Sequence, residues 1–256
     1  MILGHNIQRY WQIVKSVQPK YVHILKYIHP YFQIVIAVLY TVTKNGGITK
    51  MNEKSWLNKT KGCLKQDDQI TIVTEPKTDF WQRTFYGFQA ANAPCFLWSS
   101  SDDFSISCRV ESNYKQLYDQ SGLILFIDDE NWCKISTEFE TETLSRLGSV
   151  VTNGGYSDWA TTDIQTRNTM YYKLSRRGPD FLAEQSTDGL VFSQMRVFHM
   201  SALGETSRDF GSMDPKSILP APVSFGVYAC SPSESSFTAI FSHIQIDAST
   251  WQAPMK

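Results

Sequence analysis

The sequence predicts an all-β fold, a two-sheet antiparallel β-sandwich, and three observations point to it. From about Gln69 onward, short runs alternate apolar and polar residues, which is typical of strands with one buried face. Turn-forming residues separate these runs, and helical periodicity is nearly absent. Seven Trp, twelve Tyr and fifteen Phe add a bias toward sheets, because aromatic side chains fit a pleated, half-buried surface.

The first strands are placed by their alternation. In FSISCRVE, which begins at Phe104, every second residue is apolar and lies on one face. The stretch SGLILFIDDENWCKISTEFE then predicts a hairpin, with a strand through 123–127, an acidic turn at 128–131 and a return strand from Trp132. These segments therefore predict antiparallel neighbours in a sheet.

The second half of the chain continues this pattern. Two turns are predicted, one at Arg177–Asp180 and one at the Asp-Gly pair within Thr187–Gly189. PVSFGVYACSP and SFTAIFSHIQI supply two final strands, which brings the total to about nine or ten. No repeat or interdomain linker interrupts them, so we expect one double-sheet domain. A long irregular stretch, Ser201–Pro222, predicts a mobile surface loop.

The N-terminal segment has a different composition, because residues 1–52 contain six Lys and Arg and no Asp or Glu. Its apolar run, Tyr31–Val42, is shorter than the about 20 residues that span a membrane, so we do not expect a membrane partner. We expect residues 1–60 to form a basic extension, partly helical or disordered and outside the fold, and residues 61–250 to form the sandwich domain. A targeting or membrane-surface segment, a helix packed on the body, and a translation start at Met51 stay open as alternatives.

The distribution of charge bears on the partner. The net charge is −1, but outside the N-terminal segment 18 Lys and Arg accompany 25 Asp and Glu. Binding to phosphate backbones relies on clustered Lys and Arg. The acidic body therefore argues against nucleic acid as a partner.

The cysteines and the acidic turn do not predict a metal site. The five cysteines are widely spaced, with no C-x-x-C pair and no His at zinc-site spacing. We expect buried free thiols, which favour a reducing compartment, because a free Cys packs as a small apolar residue. The turn at 128–131 has no glycine-containing ligand loop around it, so neither calcium nor any other cofactor is predicted.

A candidate ligand-binding face is predicted on the strand that follows the acidic turn. Period-two alternation places Trp132, Lys134, Ser136, Glu138 and Glu140 on one side, while the intervening residues belong to the core. Tryptophan, amine and carboxylate groups on a solvated face are suited to binding a polar ligand. The same residues would also make an ordinary solvated sheet surface.

Two further polar and aromatic groups are candidates for the same face. Tyr118 and Asp119 precede the strand at 123–127, and Asp158 and Trp159 follow the turn in VVTNGGYSDWA. Aromatic rings stack on sugar faces and carboxylates bind hydroxyls, but such residues also form buried clusters with hydrogen-bonded polar edges.

Four segments together resemble a known family. YDQSGLILFIDDENWCKISTEFE, SVVTNGGYSDWA, YYKLSRRGPDFLAEQSTDG and FGVYACSP are similar, in order and spacing, to concanavalin A-like sandwich domains of the family that includes the yeast regulation of enolase protein. The similarity runs from about Phe80 to Ile246. It implies a concanavalin A-like jelly roll with a concave face and a cytoplasmic role in regulating enolase, and it implies no catalytic residues.

Related sandwich glycosidases carry an E-x-D-x-E run, which Glu138–Glu142 approaches. On a strand, alternate residues are about 6.7 Å apart, whereas carboxyl separations are about 5 to 5.5 Å in retaining enzymes and about 6.5 to 9.5 Å in inverting ones. Distance leaves hydrolysis open, but the central residue is Glu instead of Asp. We therefore assign no catalytic residue and expect a protein that is not an enzyme.

The leading hypothesis is a non-catalytic binding protein that regulates a glycolytic enzyme, enolase, in the cytoplasm. A lectin-like carbohydrate-binding module is the alternative, and a glycoside hydrolase the second alternative. The candidate partners are enolase or another protein, and a carbohydrate. The predicted ligand-binding residues are Tyr118, Asp119, Trp132, Lys134, Glu138, Asp158 and Trp159.

Overall fold

The computed structural model of the protein describes residues 52–206 and 221–251. The predicted extension lies outside the described residues up to residue 51, as does most of the predicted loop, from 207 to 220. In the two described ranges no helix is long and apolar enough to cross a membrane.

The described residues form sixteen strands and one 3-10 turn, Ser201–Leu203. The strands are β1 (Asn52–Leu57), β2 (Leu64–Gln66), β3 (Gln69–Val73), β4 (Phe80–Gln82), β5 (Gln89–Ala91), β6 (Cys95–Ser100), β7 (Phe104–Ser112), β8 (Gln120–Asp128), β9 (Asn131–Phe139), β10 (Ser145–Asn153), β11 (Tyr156–Ile164), β12 (Thr169–Arg177), β13 (Asp180–Ser186), β14 (Ser193–His199), β15 (Val223–Cys230) and β16 (Thr238–Ala248).

The strands assemble into two seven-stranded sheets and one small hairpin. The first sheet has the order β1-β6-β15-β8-β9-β10-β11, and the second has the order β14-β13-β12-β7-β16-β3-β2. The hairpin consists of β4 and β5. All named pairs within the sheets are antiparallel, which confirms the predicted two-sheet antiparallel β-sandwich.

The predicted hairpins agree with the structure. The acidic turn joins β8 to β9, with Phe126 opposite Trp132, and the two turns of the second half join β12 to β13 and β13 to β14. The first strand identified individually from the sequence is β7, so β1 to β6 were not predicted. We expected the sandwich to begin at residue 61, but β1 pairs with β6 at the edge of the first sheet, so the fold includes Asn52–Leu57.

The main core lies between the two sheets. Alternating residues of β7, beginning with Phe104, face alternating residues of β8 and β15 there. The rings of Phe104 and Phe225 stack with centroids 3.6 Å apart. All five cysteines are buried and free. Burial raises the pKa of the Cys108 and Cys133 thiols well above the usual value, so these thiols stay protonated and pack as apolar groups.

A second apolar cluster lies on the other side of the first sheet, which we call its outer face. The β4–β5 hairpin packs there, and its Phe80 and Trp81 belong to one buried cluster with residues of β8, β9 and β10 such as Ile124 and Val150. These residues alternate along their strands with members of the main core, as strand geometry requires. The hairpin thus covers one part of the outer face and leaves the neighbouring part accessible.

Candidate functional site

An open groove of about 670 Å³ lies on the outer face beside the β4–β5 hairpin. It is lined by residues from the hairpin, from the four strands β8 to β11 of the first sheet, and from the loops that precede β4 and β8 and follow β9 and β15. These residues are Asp79, Trp81, Tyr86, Phe88, Tyr118, Gln120, Lys134, Ser136, Glu138, Glu140, Arg146, Gly148, Val150, Trp159, Pro232 and Ser233.

Alternation along β9 provides the floor of the groove. Lys134, Ser136 and Glu138 all line it, in agreement with the predicted side of the strand. Strand register then adds neighbours on both sides of Glu138, because Gln120 of β8 and Arg146 of β10 lie directly opposite it. The floor is therefore polar across three adjacent strands.

Lys134 is bound by a carboxylate that precedes the hairpin. Its side chain is 5% exposed, and its Nζ lies 2.7 Å from Asp79 Oδ1. The backbone N–H of Phe80 donates to the same oxygen at 2.7 Å. Burial alone would lower the pKa of Lys134, but the Asp79 carboxylate outweighs it and the pKa is raised. The amine therefore remains a cation, and the pair fixes the start of β4 above the sheet.

Glu138 is the charged group of the floor whose charge is least balanced by hydrogen bonds and ion pairs. Gln120 Nε2 donates to its Oε2 at 3.0 Å, whereas its Oε1 has no hydrogen-bond partner among the described residues. Burial raises the pKa of Glu138 to about 7, and the nearby Lys134 cation opposes that shift. Near neutral pH the carboxyl is consequently present in both protonation states.

Aromatic side chains line the groove above this polar floor. Trp81, Tyr86 and Phe88 come from the hairpin and its turn, and the rings of Trp81 and Tyr86 meet edge to face with centroids 5.4 Å apart. Trp159 of β11 is 40% exposed. A Cβ on the adjacent Gly148 would lie 3.3 Å from its Nε1, so the glycine leaves room for the indole against the strand.

Arg146 holds the end of β9. It forms an ion pair with Glu140 and a longer one with Asp163, at 3.8 Å. Glu140 lines the groove with its carboxylate bound in this way, whereas Glu142 is exposed and does not line it. The Glu138–Glu142 run therefore does not present three carboxylates on one face, because the strand ends at Phe139.

Trp132 was predicted to be an accessible part of the ligand-binding face, and that prediction is wrong. It lies on the predicted side of β9, but its side chain is fully buried beneath the hairpin, with its ring centroid 5.4 Å from that of Phe80. Its Nε1 donates to Asp129 O at 3.2 Å. The alternation was right, but a hairpin distant in sequence covers this end of the strand.

Asp119 is also buried and cannot reach a ligand. Its carboxylate accepts the backbone N–H groups of Lys115 and Gln116, at 2.8 and 2.9 Å, and the hydroxyls of Ser231 and Ser235, at 2.8 and 3.0 Å. With four donors, it organises two loops. The prediction that Asp119 belongs to the ligand-binding face is therefore wrong.

Asp158 lies on the opposite side of the sheet from the groove. It pairs in register with Val151, a member of the main core, and its Oδ1 lies 2.9 Å from Arg196 Nη2 of β14. The adjacent Trp159 faces the groove because side chains alternate along β11. Asp158 thus links the edges of the two sheets and does not belong to the groove.

The structure brings four of the seven predicted residues together. Tyr118, Lys134, Glu138 and Trp159 line one groove. Tyr118 is partly exposed and has a φ of 74°, a conformation that is uncommon for a residue with a side chain.

Sequence reasoning missed the part of the site that comes from the hairpin. Asp79, Trp81, Tyr86 and Phe88 lie in the stretch DFWQRTFYGF, which carries five aromatic residues within ten. This local density of aromatic residues was the sequence signal that could have indicated the missing part of the site. The strands there are three residues each, too short for alternation to reveal them.

Comparison with known proteins identifies the family. Residues 56–249 match the model of a family described as proteins of unknown function, DUF1349. The chain belongs to the DUF1349 family. The match covers the described sandwich almost from end to end, and it confirms the resemblance on which the sequence-based hypothesis depended.

Regulation of enolase protein 1 of Saccharomyces cerevisiae is 38% identical to this chain over 113 residues, which are 44% of this chain and 56% of the yeast protein. An uncharacterized protein of Emericella nidulans is 27% identical over 173 residues, 65% of this chain and 79% of the other. The alignment with the first relative thus spans little more than half of that protein.

Solved structures are similar in fold. A functionally unknown protein from Saccharomyces cerevisiae superposes with a TM-score of 0.64 and 25% identity, over 79% of this DUF1349 chain and 97% of the other. The GH43 protein BlXynB from Bacillus licheniformis gives a TM-score of 0.52 at 13% identity, over 70% of this chain and 33% of the enzyme. At that identity the likeness to BlXynB concerns the fold alone.

Proposed function

We propose that this DUF1349 protein is a non-catalytic binding protein whose groove holds a carbohydrate. One observation carries the proposal: a single open groove combines an exposed indole and four further aromatic rings with a polar floor. Aromatic rings pack on the apolar faces of sugars, and a few placed polar groups bind hydroxyls. Trp159 supplies the exposed indole, and Lys134 and Glu138 supply the floor.

Binding is favoured over hydrolysis by the state of the carboxylates. Glycoside hydrolysis uses two carboxyl groups on either side of the scissile bond. In the groove, Asp79 is bound by Lys134 and Glu140 by Arg146, which leaves Glu138 as the carboxyl with an unused oxygen. We therefore infer that Glu138 contacts the ligand and does not transfer its proton in a reaction.

Replacement of Trp159 by alanine tests the carbohydrate site. Because the indole is 40% exposed, we expect Trp159→Ala to weaken carbohydrate binding by about tenfold or more while the free energy of unfolding changes by less than about 1 kcal/mol. Calorimetric titration with neutral oligosaccharides and denaturant unfolding measure the two quantities.

The matched control is Tyr156→Ala, which removes an exposed aromatic ring from the same strand outside the groove. Equal loss of binding in both variants, or unchanged binding after Trp159→Ala, would contradict the site.

A second candidate function, and the leading hypothesis from the sequence, is regulation of enolase by direct contact. The observation that favours it is the 38% identity to Regulation of enolase protein 1 of Saccharomyces cerevisiae. A role at this enzyme would place the protein in the cytoplasm, and five buried free thiols fit a reducing compartment.

The experiment for this second function uses the full-length chain and purified yeast enolase. We expect binding with a dissociation constant in the micromolar range or below, and a change in enolase turnover at saturation. An unrelated glycolytic enzyme is the control for nonspecific association. No association at about 100 µM, together with unchanged turnover, would remove enolase as the partner.

A further inference from the structure

We propose that the groove selects an uncharged carbohydrate that donates a hydroxyl to Glu138, and that it discriminates against sugars that carry a carboxylate. This inference rests on the proposed carbohydrate site and specifies its ligand class and its selective residue. The observations that carry it are the hydrogen bonding of Glu138 and the pairing of the charges around it.

Glu138 has hydrogen-bonding capacity that the protein does not use. Tyr228 donates its hydroxyl to Gln120 Oε1 at 3.1 Å, which turns the amide N–H₂ of Gln120 toward Glu138. Gln120 Nε2 then donates to Glu138 Oε2 at 3.0 Å. Glu138 Oε1 exposes almost no surface and accepts no hydrogen bond from any residue of the described ranges.

Buried carboxylate oxygens normally have a partner, so the state of Oε1 indicates a missing donor. Glu138 lines the groove, and the terminal torsion of a glutamate is broad, so a small rotation of the carboxyl turns Oε1 toward a ligand there. A hydroxyl of a bound sugar would supply the donor.

The charges of the groove argue against an anionic ligand. Lys134 lies 2.7 Å from Asp79, and Arg146 is paired with Glu140, so each of these cations already has an acidic partner. Glu138 remains as the additional acid. A ligand carboxylate would meet three acids and would have to compete for cations that are already paired, which is unfavourable.

The same arrangement links binding to protonation. Burial raises the pKa of Glu138 to about 7, Lys134 and Arg146 oppose the shift, and Asp79 and Glu140 add to it. A hydroxyl donates a stronger hydrogen bond to a carboxylate than to a neutral carboxyl. Affinity for an uncharged sugar should therefore rise between about pH 6 and about pH 8, where Glu138 loses its proton.

Calorimetric titration of the full-length protein tests this inference. The ligands are tetramers of glucose, mannose and galactose, each compared with its counterpart oxidised to a carboxylate at C6. For a neutral tetramer that binds, we expect affinity at least about tenfold higher than for the oxidised counterpart at pH 8, and an increase of a few fold from pH 6 to pH 8.

The variant Glu138→Gln presents an amide to the groove in place of the free carboxylate oxygen. We expect it to weaken binding of the neutral tetramer by about tenfold and to remove the pH dependence. Glu142→Gln is the matched control, because Glu142 is exposed outside the groove and its neutralisation should leave affinity unchanged.

The outcomes separate the inference from the proposed function. Binding of neutral sugars together with equal or tighter binding of the oxidised tetramers overturns the inference and leaves the carbohydrate site standing. Unchanged affinity for the neutral tetramer in a folded Glu138→Gln protein also overturns the inference and leaves the carbohydrate site standing. If no tetramer binds, neutral or oxidised, the carbohydrate function fails and the inference fails with it. The comparison of neutral and oxidised tetramers uses the wild-type protein, so it tests the inference even if the Glu138→Gln variant does not fold.

Discussion

Substitution of Trp132 by alanine is expected to destabilise the protein by about 3 to 5 kcal/mol, the usual cost of removing a large buried aromatic side chain. The indole is fully buried between the outer face of the first sheet and Phe80, and it belongs to the cluster that holds the β4–β5 hairpin. Its loss leaves a cavity and removes one of the two hydrogen bonds to Asp129 O, the other of which comes from Gln82 Nε2 at 2.9 Å. Denaturant unfolding monitored by circular dichroism measures the change.

The control for this prediction is Trp159→Ala, which removes an indole that is partly exposed. We expect the two substitutions to have different effects: Trp132→Ala lowers the stability of the protein, and Trp159→Ala weakens ligand binding. A Trp132→Ala protein that unfolds at the wild-type denaturant concentration would show that the hairpin does not cover this residue.

The second large effect is expected from Asp79→Asn, which leaves the buried ammonium of Lys134 without its carboxylate. Removal of one member of a buried ion pair typically costs about 3 to 5 kcal/mol, and solvent in the adjoining groove should place this pair near the lower value. The Asn oxygen can still accept the N–H of Phe80, so the change reports chiefly on charge. Unfolding at pH 7 measures it.

Two matched variants sharpen this test. The side chains of the Lys77–Glu234 pair are 74% and 70% exposed, so Glu234→Gln should leave the free energy of unfolding nearly unchanged. The double variant of Asp79→Asn with Lys134→Met should recover part of the loss, because it leaves no charge buried alone. If Asp79→Asn costs no more than Glu234→Gln, the pair is not buried in solution.

Much of the fold was predictable because alternation and turn chemistry act locally. The hairpin of β8 and β9 could be read from the apolar residues on either side of the acidic turn, and the turn before Asp180 from its Gly-Pro pair. Such signals depend on neighbours within about ten residues along the chain. The order of strands in the two sheets depends on distant pairing, such as that of β15 with β6 and β8, which no local pattern specifies.

The candidate site was predictable in part for the same reason. The side of β9 that carries Lys134 and Glu138 followed from period two, and the structure agrees. Whether a residue on that side is open depends on what packs above it. The hairpin covers Trp132 and leaves Glu138 within reach of the groove, although both have the same alternation.

The groups in the groove show why the function of this chain should not be inferred from the similarity of its fold to other proteins. A sandwich of this type occurs within a GH43 protein that is about three times as long as the matched portion, and the likeness is structural. In the present chain the groove contains its own set of groups, with two carboxylates neutralised by cations and one left with an unused oxygen. These groups, and not the fold, carry the functional proposal.

The central claim, that the groove beside the hairpin binds a carbohydrate, is tested most directly by the indole N–H signals of ¹⁵N-labelled full-length protein during titration with the neutral tetramers. Signals are assigned from the Trp159→Ala and Trp132→Ala spectra. We expect a saturable shift of the Trp159 signal while the Trp132 signal stays in place, because one indole lines the groove and the other is buried beneath the hairpin. A saturable shift at Trp132 with none at Trp159, or no shift with any tetramer, would contradict the claim.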